Sequence, residues 1–163
     1  MKKLSQYLVA CFLAIFSFMP TNAFADYALT MANSYTASLM PSTAYFFNSG
    51  NGMDSFSSST NVYKNYTNLI VPHNGTITSV YGGIFTGSAA SSENCTINII
   101  QNYSMVRTVT NTLALTGAGY NSFGTNSLNI PVNAGDVLQV EIVTPNWVLA
   151  PISSSFSVSI YIQ

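Results

Sequence analysis

Charge is what this sequence has least of: four basic and five acidic side chains in 163 residues, 6% of the chain, against 13% aromatic. Lys2 and Lys3 sit at the N-terminus, so the remainder carries Lys64 and Arg107 against Asp26, Asp54, Glu93, Asp136 and Glu141. A chain without a basic patch is a poor partner for nucleic acid or anionic lipid, and neither is expected. Scarce charge also means weak repulsion between copies. Interface cores are poor in Lys, Glu and Asp and rich in aromatics, so this composition points to an oligomer or a surface-bound protein.

Histidine and cysteine are nearly absent as well. His73 is the sole histidine, so a metal site there would lack the His and Cys partners it needs. A serine triad would have no other base, and no G-x-S-x-G elbow accompanies it. Paired-carboxylate hydrolysis would have to draw on Asp54, Glu93, Asp136 and Glu141, and Glu141 falls on the polar face of a strand. Asp54 and Asp136 stand outside any spaced acidic run of the calcium-loop kind, and Asp136 is expected to brace its own turn. No metal, no cofactor and no enzymatic activity are expected.

Residues 1–25 combine Lys2-Lys3, an apolar stretch over 8–19 and the small-x-small ending Ala23-Phe24-Ala25. These residues read as a secretory signal, cleaved before Asp26, with an apolar stretch too short to span a membrane. Leu8-Val9-Ala10-Cys11 has the look of a lipoprotein box, but the apolar run continues past Cys11, where a lipidated cysteine should end it. Residues 26–163 have the size of one domain. Their single cysteine, Cys95, has no partner within the mature chain. The alternation of Cys95, Ile97 and Ile99 with Thr96 and Asn98 turns the thiol inward as a small hydrophobe, with an intermolecular disulfide as the alternative.

Helical period is missing too, and what the chain has instead is alternation. In 129–143 a strand end containing Pro131 runs into the turn Asn133-Ala134-Gly135-Asp136 and then a strand, with Leu138, Val140 and Ile142 on one face and Gln139 and Glu141 on the other. Pro131 requires an edge or a strand end. Further strands are predicted at 43–47, 76–81, 95–101, 105–115 and 156–162, with polar loops at 48–52, 55–60, 87–94 and 117–122. Asn74-Gly75 reads as a hairpin turn, and Gly82-Gly83 as a bulge or kink. Residues 26–42 read as an arm or a first edge strand. About eight to ten antiparallel strands at this spacing make an all-β sandwich or jelly roll.

The order Val71-Pro72-His73-Asn74-Gly75-Thr76-Ile77, the run from Leu128 through Asn133-Ala134-Gly135-Asp136 to Val137, and the terminal strand from Phe156 resemble the small jelly-roll heads of bacterial, spore-surface and phage fibres. Those heads are themselves similar to the trimeric tumour-necrosis-factor and complement globular-head fold. The resemblance covers 43–163 and implies an antiparallel jelly roll, a homotrimer with the C-terminal strand near its centre, and a role in contact. No collagen-like or coiled stalk precedes the head.

The candidate ligand-binding residues are aromatic: Trp147 between Pro145 and Pro151, Tyr120 and Phe123 after a glycine pair, and Tyr103. Such rings give contact area with few torsions to freeze. Trp147 has an equal alternative, folding back to plug one end of the sandwich. Four glycosylation-type triplets, at Asn65, Asn74, Asn94 and Asn102, are what chance gives in a chain this rich in Asn and Thr. The expectation is a secreted, non-enzymatic adhesion head that recognises a surface glycan or protein receptor as a homotrimer, without membrane insertion. A structural subunit of an extracellular layer or filament is the second reading, and a monomeric carbohydrate-binding module the third.

Overall fold

Alternating strands carry an apolar face that leaves water only by closing on another such face. The computed structural model describes residues 26–35, 39–46, 54–56, 68–88, 93–152 and 154–163. In chain order its strands are β1 (Tyr27–Tyr35), β2 (Ala44–Phe46), β3 (Asp54–Phe56), β4 (Leu69–Ile70), β5 (Gly75–Thr86), β6 (Asn94–Gln101), β7 (Met105–Ala114), β8 (Gly119–Thr125), β9 (Ile130–Val132), β10 (Val137–Val143) and β11 (Ser154–Ile162). No helix occurs among the described residues. The secretory signal expected at 1–25, the loop expected at 48–52 and most of 55–67 lie outside them.

The first sheet runs β1-β11-β5-β8 with β9 also on β5, and the second runs β3-β2-β10-β6-β7 with β4 also on β10. The pairing is nested from the chain ends inward: β1 with β11, β2 with β10, β5 with β8, β6 with β7. Successive pairs fall alternately on the first and second sheet. One antiparallel ribbon is thus wrapped around a core, which is the jelly roll expected. Residues 27–35 form an edge strand rather than an arm, because all nine pair with β11.

The inward rows meet in one cluster. Ile77, Val80 and Ile84 of β5 and Val158, Ile160 and Ile162 of β11 face Leu138, Val140 and Ile142 of β10 and Ile97 and Ile99 of β6, all buried. Each such side chain contributes roughly 1.5–3 kcal/mol on leaving water. Cys95 is fully buried in the same cluster. Its surroundings answer the choice left open by the sequence in favour of the small hydrophobe.

Four expectations need correction. Asn74-Gly75 does not turn a hairpin, since β4 pairs with β10 in the second sheet while β5 lies in the first; the turn carries the chain across the sandwich. Residues 54–56, the start of the expected serine-rich loop, form β3 against β2. Tyr120 and Phe123, expected in a loop, lie in β8. The outer face of the second sheet is not solvated throughout: Gln139, Asn98, Phe46 and Ile100 are buried there, with Phe46 and Ile100 in a second apolar cluster against Ala44.

The kink expected at Gly82-Gly83 is also absent. Both glycines pair regularly with β11, opposite Val158 and Ser157, and the register shift falls instead at Thr78, between the partners Ser79↔Tyr161 and Ile77↔Ile162. The glycines are seats for rings. A Cβ on Gly82 would stand 2.6 Å from Cζ of Phe123, one on Gly83 2.0 Å from Cζ of Tyr120, and one on Gly124 2.3 Å from Cδ1 of Tyr81. Aromatic side chains laid over strand glycines cover the backbone that glycine leaves bare.

Two outcomes are expected. Gly83→Ala must displace the Tyr120 ring and should lower stability by about 1–3 kcal/mol, whereas Gly117→Ala, with nothing within 4 Å of its added Cβ, should leave the urea midpoint within error. Burial pushes the Cys95 thiol up to about 12, so at pH 8 a soluble thiol reagent should label it only in denaturant. Rapid labelling of the folded chain would contradict the packing described.

Candidate functional site

Alternation that sends Ile84 and Ile160 inward sends Tyr81, Phe85 and Tyr161 out. With Tyr120 of β8 they form an aromatic patch on the outer face of the first sheet, exposed by 46%, 50%, 42% and 62% respectively. Tyr81 and Tyr161 meet edge to face, with centroids 6.1 Å apart and planes at 76°. Phe85 lies directly across the ladder from Tyr120. Between the rings stand Ser79, Ser122, Ser155, Ser157 and Ser159. No strand of the first sheet contains Asp, Glu, Lys or Arg. A whole face of the molecule is therefore aromatic, hydroxylated and uncharged.

A second feature opens beside it. β7 and β8 are the outermost strands of their respective sheets, and as the chain passes from one to the other they splay. The gap is a cleft of about 480 Å³ lined by Thr110, Thr112, Asn121, Ser122, Phe123 and Gly124, among others. Its inner wall is polar: the Asn121 amide donates long bonds to Ile84 O (3.4 Å), Thr86 Oγ1 (3.5 Å) and Gly119 O (3.3 Å). Thr86, fully buried, donates to Gly117 O at 2.9 Å.

The four residues expected to bind ligand are scattered. Tyr120 is on the aromatic face. Phe123, an odd number of positions further along β8, faces the opposite way and is buried over Gly82, at the base of the cleft. Trp147 is buried in the core cluster at 6% exposure, so it plugs the sandwich and presents no ring; its Nε1 has no acceptor among the described residues. Tyr103 is exposed at the β6–β7 turn, in the left-handed region with φ 62°, and its hydroxyl accepts a bond from Asn68 Nδ2 at 2.6 Å. It lies at the end of β10 opposite Trp147. Tyr81, Phe85 and Tyr161 were missed, although Tyr81 and Phe85 share one face at a spacing of four, because a kink at Gly82-Gly83 would have separated them.

Asp136 and Glu141 are held structurally. Asp136 Oδ2 accepts from Asn133 N (2.8 Å) and Gln101 Nε2 (2.7 Å), and Oδ1 from Asn102 Nδ2 (2.9 Å). Asn102 Oδ1 in turn accepts from Val137 N at 2.9 Å. Three donors aimed at one carboxylate leave a cation no welcome. They brace the turn against the β6–β7 turn and, with the backbone N–H of Asn133 foremost, hold the carboxyl below its usual range. Glu141 is half-buried and accepts from Asn98 Nδ2 at 2.8 Å. The His73 carbonyl accepts from the Tyr27 hydroxyl at 3.0 Å, with the two rings edge to face.

No protein-family model matches the chain, and no curated protein matches it. Among solved structures, that of FlhE overlaps at 12% identity and TM-score 0.42, over 83% of this chain and 97% of that one. The globular domain of zebrafish complement 1qA, of the group the strand-and-turn pattern resembles, gives 11% and 0.42 over 80% and 94%. The structure of the infectious bursal disease virus Gx strain gives 13% and 0.43 over 86% of this chain and 32% of that one. The jelly-roll assignment itself rests on the strand order of the two sheets.

Asp136→Asn should destabilise the fold at pH 7 by about 1–2 kcal/mol, since one carboxylate serves three donors. A carboxyl whose folded pKa is depressed stabilises above its unfolded value, near 4, and that contribution fades as pH falls through the folded value. Urea midpoints of wild type and variant should therefore converge below about pH 4. A gap constant from pH 7 to pH 3 would remove the charge from the explanation.

Proposed function

We propose that this protein is an exported, non-enzymatic head that works by contact: it assembles with copies of itself, as a homotrimer, and recognises a surface glycan or protein receptor. One observation carries the reading, the uncharged outer face of the first sheet with Tyr81, Phe85, Tyr120 and Tyr161 half exposed on it. Half of four large rings is on the order of 400 Å², about half of what one partner buries in a standard interface. The serine rows on the same strands supply a polar rim that desolvates cheaply compared with charge. A non-enzymatic role is supported by where the titratable groups stand, with Asp136 committed to its turn and Glu141 bonded to Asn98.

A ring of three is heterologous, so the aromatic face of one copy meets a different patch of the next. The test is mass. Light scattering of the secreted chain at micromolar concentration should give three times the monomer mass. Phe85→Ser with Tyr120→Ser should weaken assembly by roughly 10³-fold, two central rings at about 2 kcal/mol each, with the β-type circular dichroism retained. A wild-type chain that stays monomeric at millimolar concentration refutes the assembly.

A further inference from the structure

The cleft between β7 and β8 is a separate feature from the aromatic face, and its lining specifies a ligand chemistry. Its volume, about 480 Å³, is within the roughly 300–1,000 Å³ of small-molecule sites. Thr110, Thr112 and Asn121 bring hydroxyl and amide groups to it, and none of its lining residues is charged. An ionised ligand would lose hydration there and meet no counter-charge. A wholly apolar one would strip water from hydroxyls and an amide and return no hydrogen bond. What remains is a neutral molecule dense in hydroxyl groups with an apolar side.

The groups present suit that description. The Asn121 nitrogen makes its three long bonds within the fold, which brace the side chain, while no donor among the described residues reaches its Oδ1. That carbonyl is a strong acceptor on the cleft wall. Thr110 and Thr112, hydroxyl to hydroxyl at 3.2 Å on the β7 side, donate and accept alike. The strip of Phe123 at the base offers an aromatic edge to C–H groups.

We infer that the β7–β8 cleft binds a neutral saccharide, with Asn121, Thr110 and Thr112 taking its hydroxyl groups and Phe123 its apolar side. This deepens the contact reading by naming the site and class of its glycan, and rests on that reading for nothing else. The experiment is amide-resolved NMR of the secreted, isotope-labelled chain titrated to 20 mM with methyl glucoside, methyl galactoside and the N-acetylglucosamine disaccharide, with glucuronate as the charged comparison. A saturable shift is expected at Thr110, Thr112 and residues 121–124 with a neutral probe and not with glucuronate. Thr110→Val with Thr112→Val, both on the edge strand β7, should weaken it at least tenfold while leaving the rest of the spectrum in place. Absence of saturable shifts with all three neutral probes, shifts that map elsewhere, or equal binding by the variant overturns the assignment. The oligomer mass of the same sample reads the assembly independently: a trimer without cleft shifts loses the site alone, and a monomer that still shows them loses the assembly alone.

Discussion

The first sheet exists only because the last strand of the chain lies at its middle. β11 is paired along its length with β1 on one side and β5 on the other, so residues near both ends of the chain must meet before that sheet can form. Contacts this distant in sequence cost closure entropy early and reward it late, which makes such topologies slow to fold. The row Phe156, Val158, Ile160 and Ile162, each buried, offsets that cost. The end of the strand is fastened closely: Thr76 and Gln163 exchange both backbone hydrogen bonds, at 2.7 and 3.0 Å, and a Cβ on Gly75 would stand 2.8 Å from the Gln163 carbonyl oxygen. Small size at that corner is a consequence of the central placement of the C-terminus.

The same ladder shapes the outer face. Tyr81 opposite Gly124, and Tyr120 over Gly83, are rings whose positions are set by the backbone beneath them. A ring already pinned loses less freedom when a partner covers it, so the surface is preorganised for contact rather than merely exposed. Glycines that weaken a strand elsewhere are here the reason a flat aromatic face can form.

Alternation made most of the architecture legible. Cys95 to Ile99, Leu138 to Ile142 and Phe156 to Ile162 show their inward rows directly, and Pro131 falls where a missing donor is harmless, in a strand that among the described residues pairs with β5 alone. What escaped were facts that depend on which strands become neighbours. Asn74-Gly75 has hairpin chemistry, but only the pairing of β4 with β10 tells that the turn joins two sheets. Gly82-Gly83 looks like an interruption until β8 is laid alongside and its aromatics fill the space. Gln139 alternates as a solvated residue, yet Phe46 and Ile100 beside it belong to a buried outer cluster. Trp147 and Phe123 carry the composition of a binding surface in positions whose burial is set by tertiary packing alone.

An uncharged surface has a consequence at its edges as well as on its face. β1 is an edge strand of nine residues without a charge or a proline, and among the described residues nothing pairs with its outer side. Proteins ordinarily blunt so long an edge with lysine, proline or a bulge, because unpaired backbone groups invite another strand. Pairing of β1 with a different edge of the next copy repeats indefinitely, whereas a contact through the aromatic face around a rotation axis closes on itself. Under the proposed assembly the two modes would compete for the same molecules. In the reading proposed above, a closed head and an open filament are alternative outcomes of one composition, and the balance between them would be set by whether Tyr81, Phe85, Tyr120 and Tyr161 hold a neighbour more tightly than the backbone of β1 does.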